Sequence, residues 1–234
     1  MTARRNHHLA EVRRKWVVKD SVEKVTVKAC GGRAAKVCGK FVYLGTLMSP
    51  TARETEEVTR RCQKAMGVFG TLRTVWQRRS ISDRVKGRLF EAFVTSVLLY
   101  NAEVWPLRKE ELQRLNRTYT GLMRQLARLG GKLRGQVDIR HKAARDALGL
   151  PALEPLLTQK RLRWVGHALR RAEGDASKAA VLYELRHNKA GAWAKLVWED
   201  MTIMGWRNIE ALQVAVSNRA RFKEKTGARA MSAP

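Results

Sequence analysis

Two-metal phosphoryl chemistry needs carboxylates gathered at one point, so the six aspartates are the first residues to weigh: Asp20, Asp83, Asp138, Asp146, Asp175 and Asp200. No two are adjacent, and none falls at a strand-to-turn position. Glu199 and Asp200 lie mid-helix, where neighbouring side chains point about 100° apart, and they read as a solvated or ion-paired face. Zinc chemistry fares no better. There is no CxxC, HxxxH or HxxxC; His7, His8, Cys30 and Cys38 are the right residue types, but their spacing matches no common module. They read as surface histidines and small apolar thiols. Cys62 falls on an apolar stripe rather than beside a base, and no GxxxxGK loop is present. His167 follows Gly166 in an arginine-rich helix and reads as a packed or solvent-exposed side chain before a phosphate contact. The expectation is a chain with no catalytic residue, no metal and no cofactor.

What remains is charge. Among 234 residues, 47 are Lys or Arg against 21 acids, a net charge of +26. Such a surface repels itself unless a polyanion neutralises it, and nucleic acids do so with release of condensed counter-ions. The cations are spread along the chain rather than gathered in one amphipathic stretch, which favours RNA or DNA over a lipid surface. The longest apolar run, Phe93 to Tyr100, is too short to span a bilayer, and the N-terminus lacks the apolar core of a secretory signal. Three cysteines in no framework spacing point to a reducing compartment. The expected location is intracellular, nuclear or cytoplasmic, with an organelle still open.

These cations must be positioned by folded elements, and with 44% hydrophobic residues and seven tryptophans the chain can build a core. Residues 1–24 read as a basic mobile arm or frayed helix. Residues 25–28 (VTVK) and 37–44 (VCGKFVYL) flank Gly31-Gly32 and read as one β-hairpin with a long loop, within 25–49. From Pro50 the chain reads as helices, giving a mainly α fold. Thr51 with Glu54 matches a capping box, followed by a stripe of Val58, Cys62, Ala65, Phe69, Leu72 and Trp76. A second helix starts at Ser80–Asp83 and carries Val85, Leu89, Phe93 and Val97. A third, 109–129, carries Leu112, Leu115, Tyr119, Leu122 and Leu126 and ends at Gly130-Gly131. These form a helical bundle over 50–129. A basic linker, 130–136, precedes a further helical region, 137–226, with helices at 138–148, 154–171, 176–187, 191–204, 207–216 and 217–226, and then a tail, 227–234.

Five segments, in order, resemble the C-terminal region of reverse transcriptases from non-LTR (LINE-type) retrotransposons. They are Phe41-Val-Tyr-Leu-Gly45; the basic helix from Glu57 to Trp76, ending in LxxxW; Ile81-Ser82 and Lys86 leading to SVLLYNAEVW (Ser96–Trp105); RLRWVGHALRR (Arg161–Arg171); and Trp198-Glu-Asp200 with Asn218-Arg219 and Phe222. Asn101 stands where that family has glycine, a residue type that also tolerates positive φ. Asn218 and Phe222 stand where it has Asp and Trp. The resemblance implies a thumb-like bundle and a post-thumb region. It places the family's catalytic Tyr/Phe-x-Asp-Asp upstream of Phe41, so a fingers–palm region would have to be supplied by a full-length element. It also implies a primer-grip-like role for Phe41, Tyr43, Leu44 and Gly45. The plainer reading of that hairpin packs Phe41 and Tyr43 against the first helix.

The candidate phosphate contacts are Arg53, Arg60, Lys64, Arg117, Arg124, Arg161, Arg163 and Arg170. The first three fall within a stripe roughly 40° wide on the first helix, about 140° from its apolar stripe. The expected function is binding of template–primer or structured RNA without a polymerase centre. A structural ribonucleoprotein component and a translated relic without a selected role remain the alternatives.

Overall fold

A computed structural model of the chain describes residues 24–26, 34–36, 39–48, 54–129, 133, 139–188 and 191–227. Contacts divide the chain into Met1–Glu57 and Val58–Pro234. In the first unit, strand β1 (Lys24–Thr26) pairs antiparallel with β2 (Ala34–Lys36). Strand β3 (Phe41–Tyr43) pairs with β4 (Thr46–Met48), Tyr43 opposite Thr46. The single long-looped hairpin expected over 25–28 and 37–44 is therefore two hairpins. The second closes through Leu44-Gly45, whose φ values of 44° and 83° are those of a two-residue primed turn. Closing a short loop costs less entropy than pairing across a long one. The turn escapes the sequence reading because leucine, not Asn or Asp, occupies its first position. Phe41 and Tyr43, expected to pack, are 51% and 61% exposed. The Leu47 N–H donates to the Glu57 carboxylate at 3.0 Å, and Lys40 pairs with Glu56 at 2.8 Å.

The helical expectation holds for the rest. The first helix, α1 (Thr55–Thr71), buries Val58, Cys62, Ala65 and Phe69 as the stripe predicts. It does not run on to Trp76. The helix breaks at Leu72, after two glycines of low helix propensity, and restarts as α2 (Arg73–Gln77). The buried Trp76 indole N–H donates to the Phe69 carbonyl at 2.9 Å, satisfying a helix-end acceptor. Thr51, and with it the expected capping box, lies outside the described residues, as does the basic arm up to residue 23.

The second helix departs from its expected face. Helix α3 (Asp83–Leu89), capped by Ser82, passes into a π-helical turn, Phe90–Thr95, and then α4 (Ser96–Leu98). Its buried positions are Lys86, Phe90, Val94 and Leu98, one residue along from the expected Val85, Leu89, Phe93 and Val97. Val85 and Phe93 are exposed. A π-turn is wider than an α-turn, so steps of four stay aligned on one face through it. After Asn101, which has φ 62° as its residue type allows, a 3₁₀ turn (Ala102–Val104) leads to the buried Trp105.

Helix α5 (Lys109–Leu129) matches its expected bounds and buries Leu115, Tyr119, Leu122 and Leu126. Helices α6 (His141–Leu148), α7 (Leu153–Leu169), α8 (Ala176–His187), α9 (Ala192–Ile203), α10 (Ile209–Ser217) and α11 (Arg219–Lys225) follow. Two apolar cores result. The first gathers α1–α6 with Leu153 and Leu157; the second gathers Leu162, Val165 and Leu169 with α8–α11. Helix α7 runs through both. Among the described residues, no helix is long and apolar enough to cross a membrane.

Candidate nucleic-acid interface

Helix α7 shows how one sequence segment serves both packing and charge. Its inner face buries Leu162, Val165 and Leu169, while Arg163, His167 and Arg170 are exposed at spacings of four and three. The Arg170 guanidinium donates to the Val216 carbonyl at 3.3 Å. Partial burial and the neighbouring Arg219 push its pKa down. Arg219 is itself exposed at the start of α11. Two like charges on neighbouring elements disfavour one another, and a bound anion would relieve that.

Arg161 is not on this surface. It is 6% exposed and makes a bidentate pair with Asp200 at 2.7 and 3.0 Å, and Thr158 donates to the same carboxylate at 2.6 Å. Both carboxylate oxygens of Asp200 are directed at α7, so the pair locks α9 to α7 rather than meeting a ligand. Asp200, expected on a solvated or ion-paired face, is buried and ion-paired.

The other expected contacts scatter. Lys64 on α1 and Arg117 on α5 are exposed, and Arg60 is half-buried. Arg124 is half-buried, with its Nε enclosed and without a hydrogen-bond partner among the described residues. Arg53 lies outside the described residues, so the three-residue stripe on α1 is placed only in part. Arg61 is 5% exposed and lies 4.3 Å over the Tyr100 ring, a cation–π contact. Phe41, Tyr43 and Leu44 stand exposed together on the second hairpin. His141 and Arg145, which face Arg117 across a cleft, went unnoticed in the sequence. Their i, i+4 spacing on a short helix was the available signal.

The late motif residues converge on packing. A Cβ on Gly166 would sit 2.7 Å from the Phe222 ring, and Phe222 stacks on Trp206 at 5.4 Å and 9°. Asn218 accepts from the Arg221 N–H at 3.0 Å as the N-cap of α11, a role Asp fills equally. The Trp193 indole donates to the Glu103 carbonyl at 2.9 Å and meets Trp164 edge-on at 5.6 Å. Asp175 caps α8, and the Ser177 N–H bonded to its carboxylate holds its pKa down. Among the described residues, no group of three or more His, Cys, Asp or Glu side chains could hold a metal.

No protein-family model matches the chain, and no solved structure matches it. The chain is similar to an uncharacterized transposon-derived protein of Caenorhabditis elegans, 24% identical over 136 residues. The match covers 58% of this chain and 48% of the relative, so the chain spans about half the length of the curated relative it matches. That similarity suggests a transposon origin.

Proposed function

We propose that the chain is a nucleic-acid-binding, thumb-like piece of a retrotransposon reverse transcriptase, holding template–primer or structured RNA through phosphate contacts and carrying no polymerase centre itself. The observation that carries this reading is the charge excess. With 47 basic and 21 acidic residues, one-to-one pairing would still leave 47 − 21 = 26 cations without a carboxylate. Arg163, His167 and Arg170 form an outward row on α7, one place where basic side chains meet solvent. The transposon-derived relative supports the transposon part of the reading, and the ordered motifs support its reverse-transcriptase part. So does the hairpin Phe41–Met48, whose exposed aromatics suit contact with a primer end.

The test is affinity for an RNA–DNA hybrid across salt. Neutralising six phosphates gives a log–log slope of about −5 on a duplex. Changing Lys64, Arg163 and Arg170 together to Gln should flatten it by roughly 2–3 units. A slope near zero in the wild-type protein would overturn the reading. Pure protein should not extend a primer with any nucleotide or divalent metal; incorporation above a buffer control would contradict that part. A translated transposon relic without a selected role is a second reading, favoured by the same similarity. It predicts that deleting the coding sequence leaves growth of the source cells unchanged.

A further inference from the structure

A cleft of about 460 Å³ opens between the polar side of α5 and the N-terminal ends of α6 and α7. Helix α5 contributes Gln113, Asn116, Arg117 and Thr120, spaced i, i+3, i+4 and i+7 and therefore on one face. Helix α6 contributes His141 at its first position and Arg145 one turn later. The far wall is Ala152, Leu153 and Glu154, the opening turn of α7.

Three features of this wall favour an anion. Arg117 and Arg145 reach the cleft from two different helices. Two helix N-termini, each with the positive end of its dipole, face it. Neither N-cap residue, Arg140 or Ala152, makes a side-chain cap bond, which leaves the first-turn N–H groups of α6 and those of Leu153 and Glu154 on α7 for a ligand, Pro155 having none. Glu154 opposes an anion, but it sits at the mouth of α7 with Asn116 donating to it at 3.4 Å. The walls are fixed: the buried Tyr119 hydroxyl donates to the Pro151 carbonyl at 2.9 Å, tying α5 to the start of α7.

We propose that this cleft binds a phosphomonoester, either the phosphorylated end of a nucleic acid or a free nucleotide. This rests on the nucleic-acid reading only for the first of those sources. A terminal phosphate has three acceptor oxygens and up to two charges, matching donors that converge from Arg117, Arg145 and the helix ends. An internal diester has one charge and two free oxygens and fits the exposed rows instead. The volume lies within the roughly 300–1,000 Å³ of small-ligand sites, so a nucleoside can follow its phosphate in. Gln113, Asn116 and Thr120 offer it neutral donors and acceptors.

The experiment compares a 5′-phosphorylated oligonucleotide with a 5′-hydroxyl one that is one nucleotide longer, so that phosphate number is equal. The phosphorylated end should bind about tenfold more tightly, the effect of one charge-assisted hydrogen bond. The preference should vanish in Arg117→Gln/Arg145→Gln and in the exposed single variant Arg117→Gln. Arg163→Gln should weaken both oligonucleotides and preserve their ratio. Displacement by millimolar AMP, but not adenosine, assigns the cleft to free nucleotide; a preference that AMP does not displace assigns it to a nucleic-acid end. Equal affinity for both oligonucleotides with no AMP binding overturns the cleft and leaves the nucleic-acid reading standing. A preference that survives both arginine variants also overturns it. AMP bound through Arg117 by a protein that binds no oligonucleotide would do the opposite, upholding the cleft and sinking the nucleic-acid reading alone.

Discussion

Glycines at two positions make opposite demands on a methyl group. A Cβ on Gly87 would lie 2.0 Å from the Leu148 carbonyl oxygen, where backbone meets backbone between α3 and α6; at Gly121, inside α5, nothing lies within 4 Å. Helix propensity favours alanine by about 1 kcal/mol at either site. Gly121→Ala should therefore stabilise by about 0.5–1 kcal/mol. At Gly87 the clash, about 1–3 kcal/mol or more, exceeds that gain, so Gly87→Ala should lower stability; urea unfolding of both variants checks the pair. Asp200 is a harsher case. Asp200→Asn leaves the Arg161 guanidinium buried without a counter-charge, which costs about 3–5 kcal/mol, read in the same titration. Cys62 gives a chemical test of burial. Desolvation raises its thiol pKa, outweighing the Thr118 hydrogen bond and the Arg114 charge that lower it. A raised pKa means less thiolate at pH 8, and the side chain is 5% exposed. Cys62 should resist iodoacetamide in the folded protein and react once denatured; equal rates in both states would show that α1 is turned the other way.

Among elements, the hairpin Phe41–Met48 carries a stored cost. Leucine in the left-handed region is disfavoured by roughly 1–2 kcal/mol, yet Leu44 holds φ 44° and is 75% exposed. Leu44→Asn should stabilise the hairpin, seen as slower amide exchange across Phe41–Met48. If Leu44 is kept for contact with a primer end, the same variant should bind an RNA–DNA hybrid less well; tighter pairing with unchanged binding would separate the turn from the function. This element also marks where sequence reading stops. Helix α5 was legible to the residue because Leu115, Tyr119, Leu122 and Leu126 keep α-helical steps throughout. The stretch from Asp83 to Leu98 was legible as a helix but not as a face, because no residue type announces a π-turn. Arg161 could be read as basic but not as buried, since its partner Asp200 is 39 residues away. Net charge counts residues and needs no partners, so it could be read at once; which cations stay at the surface depends on such long-range pairs.

At the scale of the molecule, the basic segment 130–136 is the boundary that composition suggests, but packing crosses it. Ile139, Ala144, Leu148, Leu153 and Leu157 complete the first core, together with residues from α1 to α5. A fragment ending at residue 132 should therefore lack a cooperative thermal transition on its own. Co-expressed with residues 133–234, it should co-purify as a complex that melts cooperatively; separate elution of two folded pieces would place the boundary back at the linker. Helix α7, shared by both cores, also meets α9 through the Trp164–Trp193 pair, and Trp193 is moored by its indole to Glu103, ninety residues away. Two indoles at 5.6 Å and 89° couple their electronic transitions, so the protein carries its own optical gauge. The exciton couplet they produce in circular dichroism disappears when α9 lifts from α7, and it reports that parting without a label.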